Sequence, residues 1–224
     1  MEQKVVREAD PLIVILTIKE VSTMKTSLGT KGGQGGFTLV EIAIVLVVVG
    51  LLLGGVMKGQ EIVKNAKIAS LQNAVKEVSA AVLAYQDRYK ALPGDDKKAS
   101  EHLGIDKRFN AGKNGGDGYI NGKWNSTNES DESRLFWKHL RAAGLLAGSG
   151  TDQPTHAFGG LMGIQHSVWN MRGPVLCFQG VPGDVATILD NKLDDGKANS
   201  GDVRVSIEDA AYHLEKTYVP CVRL

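Results

Sequence analysis

Residues 37–57 read FTLVEIAIVLVVVGLLLGGVM, and this stretch decides the fold. It is 21 residues long and carries a single charged residue, Glu41. As an α-helix it would rise about 31 Å at ~1.5 Å per residue, close to the roughly 30 Å hydrocarbon core of a bilayer. A helix on the core of a soluble domain would show one polar face, and this stretch has none. The sequence therefore predicts a membrane helix over 37–57, in preference to a central helix buried inside a larger domain.

A secretory signal peptide is the main alternative for this stretch. Such a peptide has a shorter apolar region, followed by a cleavage site of small residues. Gly54 and Gly55 could mimic that site, but the sequence runs on without a break into a helical pattern. We therefore expect an anchor that is retained in the mature protein.

Residues 58–90 are predicted to continue the same helix in amphipathic form. Apolar residues recur at alternating spacings of three and four and so share one stripe: Ile68, Leu71, Val75, Val78, Val82, Tyr85 and Tyr89. No proline interrupts the helix before Pro93-Gly94, which we expect to end it. The stripe could form a coiled-coil seam, but three heptads are the lower limit for one. Packing of the stripe against the chain's own domain is the favoured interpretation.

The composition of the whole chain is that of a globular protein. It is 42% hydrophobic and 23% charged, which excludes wholesale disorder. A net charge of +1 gives no strong sign of nucleic-acid binding. The five histidines lack the spacing of a zinc protease, and neither a serine-hydrolase motif nor a phosphate-binding loop occurs. We therefore do not expect an enzyme.

Residues 91–224 are predicted to form a globular outer domain. Glycine, asparagine and lysine dominate 91–128, which is typical of loops. Helices are expected over 131–147, ended by Gly148, and over 183–193, with Asp184 as N-cap. A further helix start is predicted at 206–209, and strands are predicted at 161–168, 174–179 and 202–206. This order of elements predicts an α+β fold.

The residues Gly35-Gly36-Phe37-Thr38-Leu39-Val40-Glu41, followed by the apolar run, resemble the processing site of type IV pilins and of the pseudopilins of type II secretion. The resemblance implies a pilin-like fold, in which the long N-terminal α-helix packs on a small antiparallel sheet with extra helices and loops. It also implies that a prepilin peptidase cuts between Gly36 and Phe37 and methylates the new amine of Phe37. Residues 1–36 would then be a leader peptide. A start at Met24 is favoured, because it leaves a 13-residue leader.

Glu41 is the predicted assembly residue. A carboxylate inside a bilayer is costly unless it is paired, and the free amine of Phe37 would supply a partner. The two groups lie near one face of a single helix, and they could also meet between staggered neighbours in a filament. The alternative is that Glu41 only reaches the membrane interface. Many type IV pilins carry a proline soon after this helix segment, whereas this chain has Lys58.

The resemblance implies a structural subunit and its partners. The precursor would span the bacterial inner membrane once and then join a homo- or hetero-oligomeric filament with other pilins. That filament would be a type IV pilus, and the alternatives are a minor or tip pilin and a pseudopilin in a periplasmic pseudopilus. A membrane-anchored enzyme or receptor with an uncleaved anchor is a further alternative of another class.

Cys177 and Cys221 are predicted to form a disulfide, because the outer domain would lie outside the inner membrane, where disulfides form. Pilins often join their C-terminal region in this way. The bond would close a loop between residues 44 positions apart. Such a loop contributes roughly 4 kcal/mol on the chain-entropy model. Two separate buried thiols are the alternative.

An acidic loop near the C-terminus is a candidate calcium site. Carboxylate and amide oxygens on a glycine-containing loop suit calcium, which is a hard cation. The residues are Asp190, Asp194, Asp195, Asn199 and Asp202. The main pseudopilins of type II secretion are similar in binding calcium in a C-terminal loop. A turn that only caps a helix and meets solvent is the alternative.

Overall fold

A computed structural model describes residues 38–205 and 210–224. The leader, Met24, the Gly36–Phe37 bond and the helix start predicted at 206–209 lie outside the described residues. The chain divides into two units between Leu52 and Leu53. The described residues of the first unit hold only the start of the long helix, and the rest of that helix lies in the second unit.

The elements follow the predicted α+β order. The helices are α1 (Leu39–Tyr89), α2 (Ala99–Leu103), α3 (Glu132–Ala142) and α4 (Gly183–Leu193), with a 3₁₀ turn at Lys107–Phe109. The strands are β1 (Met162–Val168), β2 (Met171–Phe178), β3 (Val181–Pro182), β4 (Val203–Arg204), β5 (Thr217–Tyr218) and β6 (Cys221–Arg223). A four-stranded antiparallel sheet has the order β1-β2-β6-β4, and β3 pairs with β5.

The predicted stripe of α1 forms the core of the second unit. Six of its seven members are buried and Tyr89 is half-buried. The stripe packs in one cluster with the inward face of the sheet and with α3, through residues that include Ile164, Leu176, Phe178, Phe136, Trp137 and Leu140. The favoured interpretation is therefore confirmed: the stripe is covered by its own domain.

The opposite face of the sheet carries a second, smaller cluster. It contains Met171, Val175 and both cysteines, with Trp124 and Trp169 packed against them. Gly163 on β1 permits this layer, because a Cβ there would collide with the carbonyl of Trp124. The sheet is thus covered on both faces.

Four local predictions differ from the structure. The strand predicted at 174–179 begins earlier, because β2 covers Met171–Phe178. Helix α3 ends at Ala142 and not at Gly148, because Gly144, with φ +69°, adopts the left-handed conformation that ends a helix earlier. Asp184 is not the N-cap of α4. The cap position belongs to Pro182, and the Asp184 carboxylate pairs with Lys64. The loop-like stretch 91–128 includes the short helix α2.

Candidate functional site

The start of α1 is capped by Thr38. The backbone N–H of Glu41 donates to the Thr38 hydroxyl at 3.2 Å, and that of Ile42 donates to the Thr38 carbonyl at 3.3 Å. Thr-x-x-Glu is the spacing of a capping box, and a carboxylate in the first turn also complements the positive end of the helix dipole. Glu41, the predicted assembly residue, therefore lies in the first turn of a helix whose start Thr38 stabilises.

The first part of α1 presents an apolar surface without protein cover. Every described residue of the first unit is exposed, including Leu39 and Leu46. An 18-residue window of the helix has a mean hydropathy of 2.8, and none of that window is buried. By length and composition this helix can cross a membrane. A contiguous apolar surface of this size requires lipid or other helices around it.

Residues 31–57 match the family profile described as the prokaryotic N-terminal methylation motif. The chain carries the prepilin signature of the type IV pilins. This motif indicates a structural protein, processed by a prepilin peptidase and assembled into a filament with pilins. Neither the curated proteins nor the solved structures searched include a match to this chain. The prepilin motif and the apolar helix together fit a precursor held in the inner membrane.

The prepilin match spans Gly36, Phe37 and Glu41. Of these three residues the structure describes only Glu41, whose side chain is exposed. The cleavage, the methylation and the pairing of Glu41 with the Phe37 amine therefore stay predictions.

The two cysteines of the chain form a disulfide. Cys177 on β2 and Cys221 on β6 are registered partners, with Cα atoms 4.0 Å apart, and both are fully buried. The alternative of two separate thiols does not hold in this structure. The loop that the bond closes contains α4 and the acidic residues.

Three of the acidic-loop residues come together. Carboxylate oxygens of Asp190, Asp194 and Asp195 lie within 4.8 Å of one another. Asp202 is not in this group and pairs with Arg223, whereas Asn199 lies in the turn between. The geometry thus brings together part of the predicted set.

The clustered carboxylates already accept hydrogen bonds. Asp190 is fully buried, accepts from the Tyr212 hydroxyl at 2.6 Å, and has a pKa that burial raises despite that bond. Asp195 accepts from the Ser200 hydroxyl at 2.6 Å, which lowers its pKa. Asp194 accepts from the backbone N–H of Val203 at 3.1 Å. These hydrogen bonds hold the loop in a conformation that surrounds its three clustered aspartates.

Sequence reasoning missed a buried polar network just after α1. Asp96 accepts hydrogen bonds from the Tyr85 hydroxyl at 2.8 Å, from the Lys98 N–H at 2.8 Å and from His102 Nδ1 at 2.7 Å. Burial opposes the charge of Asp96, but these bonds outweigh burial and hold its pKa below the usual range. The network fixes the chain where it leaves the helix. Two consecutive aspartates after Pro93-Gly94 were its only signal in the sequence.

The neighbouring Asp95 organises the glycine-rich loop that follows. Its carboxylate accepts from the N–H groups of Gly116, Asp117 and Gly118, the last at 2.7 Å. Burial raises the pKa of Asp95 despite these bonds. Asp95 and Asp96 therefore act as structural acids of the outer domain.

Proposed function

We propose that this protein is the structural subunit of a type IV pilus or related filament. It is made as a prepilin, cleaved after Gly36, N-methylated at Phe37 and assembled through its apolar helix. The single observation that carries the proposal is the methylation motif at residues 31–57, placed at the start of a helix whose apolar residues over 39–57 are all exposed. The bare apolar surface of that helix is what neighbouring subunits would cover after the precursor leaves the membrane.

The first test concerns processing. Mass spectrometry of the membrane-extracted protein should give an N-terminal peptide that begins at Phe37 and carries one methyl group. An intact Gly36–Phe37 bond in the mature protein would refute the proposal and would favour an anchored receptor or enzyme.

Glu41 is proposed to guide assembly by pairing with the Phe37 amine. Because opposite charges in a low-dielectric environment attract strongly, the pair would neutralise both groups within one helix or between neighbours. Glu41→Gln keeps the shape of the side chain and removes its charge. We expect normal cleavage and loss of filaments, measured by electron microscopy of sheared material.

Glu61→Gln is the matched control for this variant. Glu61 is another exposed carboxylate of α1 and pairs with Lys58 at 2.7 Å, three residues away. Its loss should leave the filaments intact. Filaments at wild-type amounts from Glu41→Gln would reject the assembly role of Glu41 while leaving the processing result unaffected.

A pseudopilin of type II secretion is the second candidate, and the acidic loop is the observation that favours it. We propose calcium as the ligand that would discriminate between the two candidates. Calcium at millimolar concentration should raise the thermal midpoint of the wild-type chain, and a chelator should reverse the change. Asp195→Asn should abolish the calcium effect. Melting curves that calcium leaves unchanged would remove this support for the pseudopilin.

A further inference from the structure

The turn that joins β1 to β2 has an unusual backbone. Its two central residues are Trp169 and Asn170, and the register of the strand pair shifts just before them, at Ser167. The φ angles of Ser167, Trp169 and Asn170 are +62°, +50° and +60°. Among the described residues, Lys90 is the only other non-glycine residue with a positive φ. Left-handed backbone at non-glycine residues is thus concentrated in this one turn.

Two of the three turn residues are under backbone strain. A two-residue hairpin turn favours positive φ at both central positions, and asparagine or glycine occupies them at little cost. Serine and tryptophan carry a Cβ that crowds the backbone in this region, so Ser167 and Trp169 stay there only because their surroundings hold them. Residues held in this way are concentrated at switch regions and ligand sites. The turn is therefore the part of the sheet that is most suited to a change of conformation.

The strained turn places the Trp169 indole against the layer that contains the disulfide. Trp169 packs on the cluster of Met171, Val175, Cys177 and Cys221. Both cysteines are fully buried, although they lie on the face of the sheet opposite α1. The indole Nε1 is buried and has no hydrogen-bond partner among the described residues. The ring that helps to cover the sulfur atoms is therefore held by apolar packing.

The other indole over this layer is held more firmly. The backbone N–H of Trp124 donates to Oε1 of Gln165 on β1 at 3.0 Å, and the Trp124 carbonyl accepts from Nε2 of Gln153. The carbonyl of Trp169 accepts from Nη1 of Arg204 on β4 at 3.0 Å. Because the Trp169 turn is strained and Trp124 is tied to β1 itself, the turn is the part of the cover that opens first.

We propose that the turn 167–170 is a gate over the disulfide, which opens in the folded domain and lets a thiol reach the sulfur atoms. In the closed state, the hydrogen bond from Arg204 and the packing of the indole hold the strained backbone. In the open state, Ser167 and Trp169 relax to negative φ and the Trp169 ring leaves the cysteines. The disulfide is thus exchangeable without unfolding of the sheet.

The reaction that the open gate permits is a two-electron reduction by a dithiol. A thiolate of the dithiol attacks one cysteine sulfur, the Cys177–Cys221 bond breaks, and the other sulfur leaves as a thiolate that takes up a proton. The second thiol of the dithiol then attacks the mixed disulfide and releases the first cysteine as a thiol. Both cysteines are reduced, and the dithiol is oxidised to its own disulfide. Because the first attack requires access to a sulfur atom, the closed gate blocks it.

Reduction of the full chain by dithiothreitol in detergent micelles tests the gate. The reaction is stopped by alkylation, and the free cysteines are counted by mass spectrometry. Urea below the unfolding transition separates the two routes to the sulfur atoms, because global unfolding exposes far more surface than the opening of one turn. We expect a reduction rate that hardly changes with urea. A rate that rises as steeply as global unfolding would overturn the gate.

Two variants should shift the gate in opposite directions. Trp169→Ala removes the covering ring and should speed reduction about tenfold or more. Ser167→Gly removes the crowding at φ +62°, stabilises the closed turn and should slow reduction severalfold. Ser130→Gly is the matched control, since Ser130 is exposed and does not have a positive φ. Its rate should equal that of the wild type.

A third variant keeps the proposal testable if Trp169→Ala does not fold. Arg204→Met keeps the indole and removes the hydrogen bond to the Trp169 carbonyl, so it should also speed reduction. Equal rates in the wild type, Arg204→Met and Ser167→Gly would show that the turn does not control access to the disulfide, and would overturn the proposal.

Discussion

The backbone N–H of Gly94 donates to Nδ1 of His139 at 2.9 Å, and Nε2 of the same ring donates to the carbonyl of Phe109 at 2.7 Å. His139 is fully buried on α3. Because Nδ1 must accept a hydrogen bond while Nε2 donates one, the ring is neutral in the folded protein. His139 thus joins the turn after α1 to the 3₁₀ turn, and it does so only while it is uncharged.

Acid should therefore weaken the outer domain. Burial lowers the pKa of His139, and the Phe109 carbonyl and Asp96 only partly oppose this effect. The unfolded chain binds the proton near pH 6.5, whereas the folded chain binds it only at lower pH, so stability is present above that value and is lost as the pH falls below it. His139 should lower the free energy of unfolding by at most about 1.4 kcal/mol between about pH 7.5 and about pH 5.5. Urea titrations at both pH values measure the drop.

His139→Gln separates this effect from the other titrating groups. Glutamine can accept from Gly94 and donate to Phe109, but it cannot bind a proton, so the variant should lose the share of the pH dependence that His139 supplies. Burial also lowers the pKa of His156 and of His166, and the variant keeps their share. His213→Gln, at an exposed position, should leave the dependence unchanged. An equal pH dependence in the wild type and in His139→Gln would contradict this assignment.

Removal of the disulfide should destabilise the outer domain strongly. The variant carrying both Cys177→Ser and Cys221→Ser lacks the bond that joins two residues 44 positions apart in the chain. The chain-entropy model predicts a loss of roughly 4 kcal/mol, measured by guanidinium unfolding. A reductant should destabilise the wild type and leave the double variant unaffected. Equal stability of the two proteins would show that the bond constrains little.

Gly163→Ala should disrupt the layer behind the sheet. The new methyl group would meet the Trp124 carbonyl and lie 2.8 Å from Nε2 of Gln153. Overpacking of this kind costs about 1–3 kcal/mol. Gly112→Ala is the control, because a Cβ at position 112 has no atom within 4 Å. Thermal melts compare the two variants, and similar midpoints would argue against a tight contact at Trp124.

Asp95→Ala should release the glycine-rich loop. Removal of the carboxylate takes the acceptor from the N–H groups of Asp117 and Gly118, whereas the N–H of Gly116 keeps a second acceptor, the backbone carbonyl of residue 95. Because these residues are exposed and water can replace the carboxylate, a loss of about 0.5–1.5 kcal/mol is expected. Hydrogen exchange at Asp117 and Gly118 should accelerate. Asp87→Ala, which removes an exposed carboxylate, should do neither.

The regular elements were the part of the fold that the sequence predicted well. The α1 stripe has a period that only a helix satisfies, and its six innermost members are buried as expected. Strands β1 and β2, each at least seven residues long, were also predicted, and so was the two-residue β4. Strands β3, β5 and β6 have two or three residues and no usable periodicity. Strand β6 pairs with the longer β2, whereas β3 and β5 pair only with each other.

The candidate sites also include some that the sequence predicted and some that it did not. The disulfide and the methylation motif could be predicted, because they depend on the residue types present and on the compartment that the apolar helix implies. Asp184 was assigned to a helix cap from its local position, but a contact with Lys64, 120 positions away, determines its role. The network around Asp96 likewise joins residues of α1 and α2 and has no local pattern. The sequence did not show which polar groups, distant from one another in the chain, would come into contact.

Strand β6 lies between β2 and β4 although it follows both in the chain. The middle of the sheet therefore stays vacant until residues 221–223 have been synthesised and can pair with both neighbours. Cys221 arrives on that same strand, so that oxidation and completion of the sheet become a single late event. A chain that has folded without this last strand would show an open strand edge on β2 and an unpaired thiol at Cys177, both of which are hidden once the strand is in place.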